Sequence, residues 1–202
     1  MFVEKKRLCG NKKENWTFFK MKPNLNRRTR AEKEKKEEKE EEAPVGILPA
    51  TWGPTVWAMI HTFAEIADRH DGMDEAKAFF AALRSNLPCR KCRDAYTRHT
   101  TAMKWGTSVV EYARALHAAV NVDLGKHPYF GRDTSMALRK LKTPMLVRVL
   151  VRAVRRSVEF FDACIREREF FGDAETHAAL VDRLAISDAV HAIKKKAGDV
   201  VR

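Results

Sequence analysis

Apolar residues recur along much of this chain at intervals of three and four, the spacing of one face of an α-helix. Within residues 50–130, Trp57, Ile60, His61, Ala64 and Ala67 trace a first helix. Thr51 or Thr55 is its expected cap and Pro54 suits its opening turn. Asp71-Gly72 marks a turn, and Asp74 starts a second helix whose apolar side is Phe79, Phe80, Leu83 and Leu87. Pro88 stops it, and a short third helix is predicted from about Cys89 to Met103. Ser108 and Glu111 form a capping-box pattern for a fourth, with Val109, Tyr112, Ala113, Leu116 and Val120 on its apolar face and Gly125 at its end. Strand-like alternation is absent. The pattern predicts an all-α fold, a compact bundle of four or five helices over residues 49–130.

Two extensions flank this bundle. In residues 131–202, Thr143-Pro144 opens a helix with Leu146, Leu150, Val154, Phe161 and Ile165 along one side, Arg148, Arg152, Arg155 and Arg156 away from it, and Gly172 at its end. Leu180, Leu184, Val190 and Ile193 suggest one or two further helices. Residues 1–48 read as a charged, flexible extension. Its stretch 31–42 has helical propensity but no apolar face, Trp16, Phe18 and Phe19 form a small apolar island, and residues 43–49 read as a linker broken by Pro44, Gly46 and Pro49.

Composition narrows the class. The chain has 202 residues, 45% hydrophobic and 33% charged, which is globular, and four cysteines are too few for a disulfide-stapled secreted scaffold. No apolar run is long enough for a membrane span, and the N-terminus lacks the apolar core of a secretory signal. The net charge of +12 is uneven. Residues 1–30 carry +8, residues 31–42 carry −3, residues 50–130 carry +2 and residues 131–202 carry +5. A basic arm can bind nucleic acid or an anionic membrane. No nucleic-acid-reading motif accompanies the charge, so nucleic acid is not the expected principal partner.

Chemistry concentrates at Cys89-Arg90-Lys91-Cys92. Two cysteines at this spacing can close a disulfide or share a metal, and a helix N-terminus beside Arg90, Lys91 and Arg93 favours the thiolate needed for disulfide exchange. A structural zinc site wants four ligands, yet no second such pair exists; Cys9 and Cys164 stand alone and His99 is only a helper. Taken alone, the motif leaves redox chemistry, zinc and inert packing open. A thioredoxin frame is disfavoured, because the stretch before Cys89 is helical rather than a strand. Trp57 and His61 share a helix face, as do His117 and Asn121, and Lys126 follows just beyond. Flat rings, hydrogen-bonding groups and a cation beside a dithiol suit an aromatic, phosphate-bearing redox cofactor.

Three segments in order carry a resemblance: Trp52 to His61 (WGPTVWAMIH), Leu87 to Cys92 (LPCRKC) and Leu116 to Lys126 (LHAAVNVDLGK). Together they resemble the Erv/ALR family of FAD-linked sulfhydryl oxidases, over about residues 50–130. The resemblance implies a helical bundle that holds FAD at one end and often dimerises. It implies that Gly53, Thr55, Trp57 and His61 lie along the flavin nucleotide, that His117 and Asn121 pack on or hydrogen-bond it, and that Lys126 meets its adenine or phosphate end. Tyr129 falls where further nucleotide contacts occur, and Cys89 and Cys92 match the redox pair. The implied function is oxidation of a protein dithiol, such as a thioredoxin-like carrier, with O2 as electron acceptor and H2O2 as product. Substrate would attack the outer Cys89, leaving Cys92 against the flavin; no metal is expected. Two departures stand out: Ala118 replaces the Asn that many members place there, and the fourth helix lacks the cysteine of a second, structural disulfide. The long-tailed, cysteine-poor layout is closer to viral members than to mitochondrial ones, which implies a host-cytoplasm or virion setting ahead of the mitochondrial intermembrane space. The alternative from another class is a basic helical protein that binds nucleic acid or a partner through a non-catalytic bundle.

Overall fold

The structure is a computed structural model that describes residues 47–171 and 175–199. The apolar island at Trp16, Phe18 and Phe19, the charged stretch 31–42, Cys9, most of the linker and the expected helix stop at Gly172 lie outside the described residues. Among the described residues all regular structure is α-helical: α1 (Pro49–Arg69), α2 (Met73–Asn86), α3 (Arg90–Ala102), α4 (Val109–Asp123), α5 (Arg132–Lys140), α6 (Thr143–Phe171) and α7 (Glu175–Asp199). None is long and apolar enough to cross a membrane.

The helix α1 is the hub. It packs against α2, α4, α5, α6 and α7. Its residues from Met59 to Ala67 are buried without a break, so one face cannot describe it. Phe63 stacks on Phe79 of α2 with centroids 4.1 Å apart, and Phe80 meets Tyr112 of α4 edge-on at 5.1 Å. Leu146, Leu150 and Phe161 of α6 and Ile193 of α7 join the same apolar cluster. The α6 face agrees with its sequence pattern. The α7 face agrees in part: Val190 and Ile193 are buried as expected, together with Ala179, Ile186, Ala189 and Ala197, while Leu180 and Leu184 are exposed. Small alanines let α7 sit close to its neighbours, and periodicity weighted toward large residues overlooks them.

The start of α1 also differs from expectation. The helix opens at Pro49, about one turn earlier than a cap at Thr51 would give and two turns earlier than a cap at Thr55, and Pro54 lies inside it. Proline suits the first helical position because its missing N–H has no intrahelical partner there. Pro54 is itself exposed and falls in the second turn, where its missing N–H leaves Ala50 O without its intrahelical donor.

Two adjacent residues at the end of α1 register the next helices. The Asp68 carboxylate accepts from Val109 N at 2.6 Å, Val110 N at 3.1 Å and the Ser108 hydroxyl at 2.6 Å, so it closes the N-terminus of α4. Ser108 Oγ in turn accepts from Glu111 N at 3.2 Å, as its capping pattern predicts. The Arg69 guanidinium donates to Leu138 O, Arg139 O and Leu141 O at the end of α5, at 3.2, 3.0 and 2.7 Å. An anion at a helix N-terminus and a cation at a C-terminus both oppose unpaired backbone dipoles. Asp68→Ala should therefore lower unfolding stability by about 1–2 kcal/mol, read from urea denaturation followed by circular dichroism.

Candidate functional site

The redox pair is built by the break between α2 and α3. Leu87 leaves α2 in an extended conformation, and Pro88 prevents the helix from continuing. Cys89 is the N-cap of α3, its Sγ accepting from Cys92 N at 3.3 Å, and Cys89 and Cys92 form a disulfide with Cα atoms 5.1 Å apart. The loop is held from both sides. Ile47 N donates to Pro88 O at 2.9 Å while Ile47 O accepts from Trp52 Nε1 at 2.9 Å, tying the pair to α1. On the inner side, the buried Arg93 donates to Leu87 O at 2.8 Å and to Cys164 Sγ of α6 at 3.1 Å, and Cys164 donates to Leu87 O at 3.3 Å. Cys164 is thus a buried polar link between α6 and the redox loop, more than the small hydrophobe its apolar neighbours suggest. Cys89 is 5% exposed and Cys92 is the more open of the two. The N-cap role folds the Cys89 side chain back over the first turn of α3.

Trp57 and His61 of α1, His117 of α4 and Tyr129 beyond it form a stack of rings. Trp57 and His117 lie parallel at 3.8 Å, His117 and Tyr129 stack at 3.8 Å, and Tyr129 lies 4.9 Å from His61. His61 Nε2 and His117 Nδ1 share a hydrogen bond of 2.9 Å, so one ring donates and the other accepts. Burial lowers the His61 pKa to about 4, with the Arg114 charge adding to it. Burial lowers the His117 pKa to about 4 as well, with His61 and Lys126 adding to it. Both imidazoles are therefore neutral near pH 7. Beyond α4 the backbone turns at Gly125, whose φ of +65° is costly for other residues, and Lys126 N closes back on Asn121 O at 2.8 Å. Asn121 Nδ2 donates to His127 O at 3.3 Å. Gly131 then lets Tyr129 reach the stack: φ is +62°, and a Cβ there would meet the tyrosine ring at 2.7 Å.

The disulfide and the ring stack border one cavity of about 940 Å³. Cys89, Cys92, Gly53, Trp57, His61, His117, Asn121, Lys126 and Tyr129 all line it. Thr55 alone among the expected site residues does not border it, because it lies off the Gly53–Trp57–His61 stripe of α1. Trp52, Leu87, Tyr96, Val120, Leu124 and Thr134 also line the cavity and were not anticipated. Val120 and Leu124 follow His117 at helical spacing and could have been found so; Thr134 comes from α5, and no sequence signal ties it to the site. His99 bonds Asp123 Oδ2 at 2.8 Å, and among the described residues no group of three or more His, Cys, Asp or Glu is placed to hold a metal ion.

The size of the cavity falls within the usual range for small-molecule and cofactor sites. Its walls are mostly apolar and aromatic, with the Asn121 amide, Lys91, Lys126, the Asp123 carboxylate and the disulfide in the lining. That donor set fits a large planar cofactor carrying phosphate. No family model, no curated protein and no solved structure matches the chain.

The histidine pair gives a pH signature. Unfolded imidazoles titrate near 6.5, whereas the folded pair holds off protons until about 4. The unfolded state binds more protons in that window, so stability present above pH 6.5 falls as the pH drops toward 4. A double His61→Gln, His117→Gln variant should flatten this slope in urea midpoints measured from pH 7 to pH 5.

Proposed function

We propose that this protein is a flavin-linked thiol oxidase of the Erv/ALR type, which forms disulfides in protein substrates. The observation that carries the reading is the convergence of the Cys89–Cys92 disulfide, the Trp57–His117–Tyr129 stack and Lys126 on one cavity. The sequence segments resembling that family supply all of these residues except Tyr129, which follows the third segment, and the cavity supports the cofactor assignment by the chemistry of its lining.

FAD would be held by the rings of Trp57, His117 and Tyr129, by Asn121 and by Lys126, and when bound it accepts two electrons from a dithiol and passes them to O2. The chain's own chemistry is thiol exchange. A substrate thiolate attacks one sulfur of the Cys89–Cys92 disulfide; an S–S bond forms to substrate and the other cysteine leaves as thiolate. A second substrate thiolate then resolves the mixed disulfide, so substrate leaves oxidised and the pair is reduced. The N-terminus of α3 favours the thiolate: Cys89 Sγ faces the Cys92 amide, and Arg90, Lys91 and Arg93 add positive charge. Neutral His61 and His117 add no charge to the ring stack near pH 7. The net reaction is 2 R–SH + O2 → R–S–S–R + H2O2.

The purified protein should be yellow, with flavin absorption in the near-ultraviolet and blue, and should consume oxygen when given a dithiol. Cys89→Ser and Cys92→Ser should each abolish oxygen uptake while the protein stays yellow. A folded protein purified without flavin, and taking up none when FAD is added, would sink the assignment.

A further inference from the structure

The arginines Arg148, Arg152, Arg155 and Arg156 follow one another along α6 at spacings of four, three and one residues. At about 100° per residue they share an arc of roughly 100°. Leu146, Leu150, Ser157 and Phe161 of the same helix lie on the other side, in the core. All four arginines are exposed, and among the described residues none of them is in an ion pair. The sequence explains why. From residue 134 to residue 158 there are seven Lys and Arg and no Asp or Glu. Glu159 is the first carboxylate to reach that face.

The neighbouring helix extends the positive charge rather than cancelling it. Lys194 of α7 and Arg148 line one groove of about 390 Å³, together with Thr143 and Val147, and Lys195 is exposed next to Lys194. Like charges at helical spacing repel. The fold therefore carries a cluster of cations whose repulsion an anionic partner would relieve.

We infer that this face of α6, with Lys194, binds the phosphate backbone of double-stranded nucleic acid without reading sequence. The residue type favours phosphate, since the rigid guanidinium fork pairs with it in two bonds and lysine does not. From Arg148 to Arg156 the helix rises about 12 Å. Duplex DNA presents one charge per roughly 1.7 Å of its axis, so several phosphates lie within reach of the stripe. A single-strand platform would need exposed aromatic rings for base stacking. Met145 is the one large apolar residue well exposed on the described part of α6. A membrane-lying helix would need its apolar face free, whereas the apolar face of α6 is already in the core.

The inference is independent of the thiol oxidase reading, and its test does not use flavin. Fluorescence anisotropy would follow binding of the full chain to a labelled random-sequence DNA duplex over a range of salt concentrations. The basic N-terminal arm is present in every variant, so the difference between variants isolates α6. Replacing Arg148, Arg152, Arg155 and Arg156 together by Gln should make the slope of log affinity against log salt shallower by about 3.6, at about 0.9 per phosphate contact. A fourfold rise in salt then weakens the wild type about 150-fold more than the variant. Should that variant fold poorly by circular dichroism, the pair Arg152→Gln, Arg155→Gln should give half the change in slope. Equal slopes in folded variant and wild type would overturn the inference. So would loss of binding to phosphatidylserine vesicles in the variant when the wild type ignores duplex DNA, which would assign the face to a membrane surface.

Discussion

Two neutral imidazoles bonded to each other inside an apolar wall are the constraint on which the site depends. His61 comes from the middle of α1 and His117 from α4, so their 2.9 Å contact exists only when the two helices hold one register. A buried polar nitrogen without a partner is costly. Each ring supplies the partner of the other, and the stack with Trp57 and Tyr129 fixes their planes. Asp68 and Arg69, which directly follow the buried run of α1, hold α4 and α5 at that register through their backbone ends. Stability and site geometry are thus set by the same helix.

The redox loop is anchored by a different logic. A disulfide at an N-cap needs an interrupted helix, and the interruption exposes backbone carbonyls. Leu87 O is satisfied by Arg93 and by the Cys164 thiol, and Pro88 O by Ile47 N. A helix from the C-terminal region therefore reaches the loop beside the disulfide. The core repeats that dependence, since Leu146, Leu150 and Ile193 join the cluster formed by α1 and α2. The long helix α6 faces two ways: its apolar side completes the core, and its arginine side remains open.

Much of this was legible in the chain. Ser108 with Glu111, the apolar stripe of α4, the end of that helix at Gly125 and the N-cap position of Cys89 follow from local spacing and capping chemistry, which act within a few residues. The stripe Gly53–Trp57–His61 and the pair His117–Asn121 were readable for the same reason. Thr55 does not border the cavity, because residues two apart on a helix do not share a face. The opening of α1 was misread because Pro49 and Pro54 carry the same local signal, and packing decides which of them starts the helix.

The sequence by itself determined the helical class, most helix boundaries and which side chains each helix offers on each face, because those depend on backbone geometry over one or two turns. Only the tertiary structure decided that a disulfide, a stack of rings and a lysine border the same cavity. It alone brought Cys164 under the redox loop, Thr134 to the cavity and alanines rather than leucines to the buried side of α7. Those outcomes rest on contacts between residues far apart in the chain, where close packing, not local propensity, selects the neighbour.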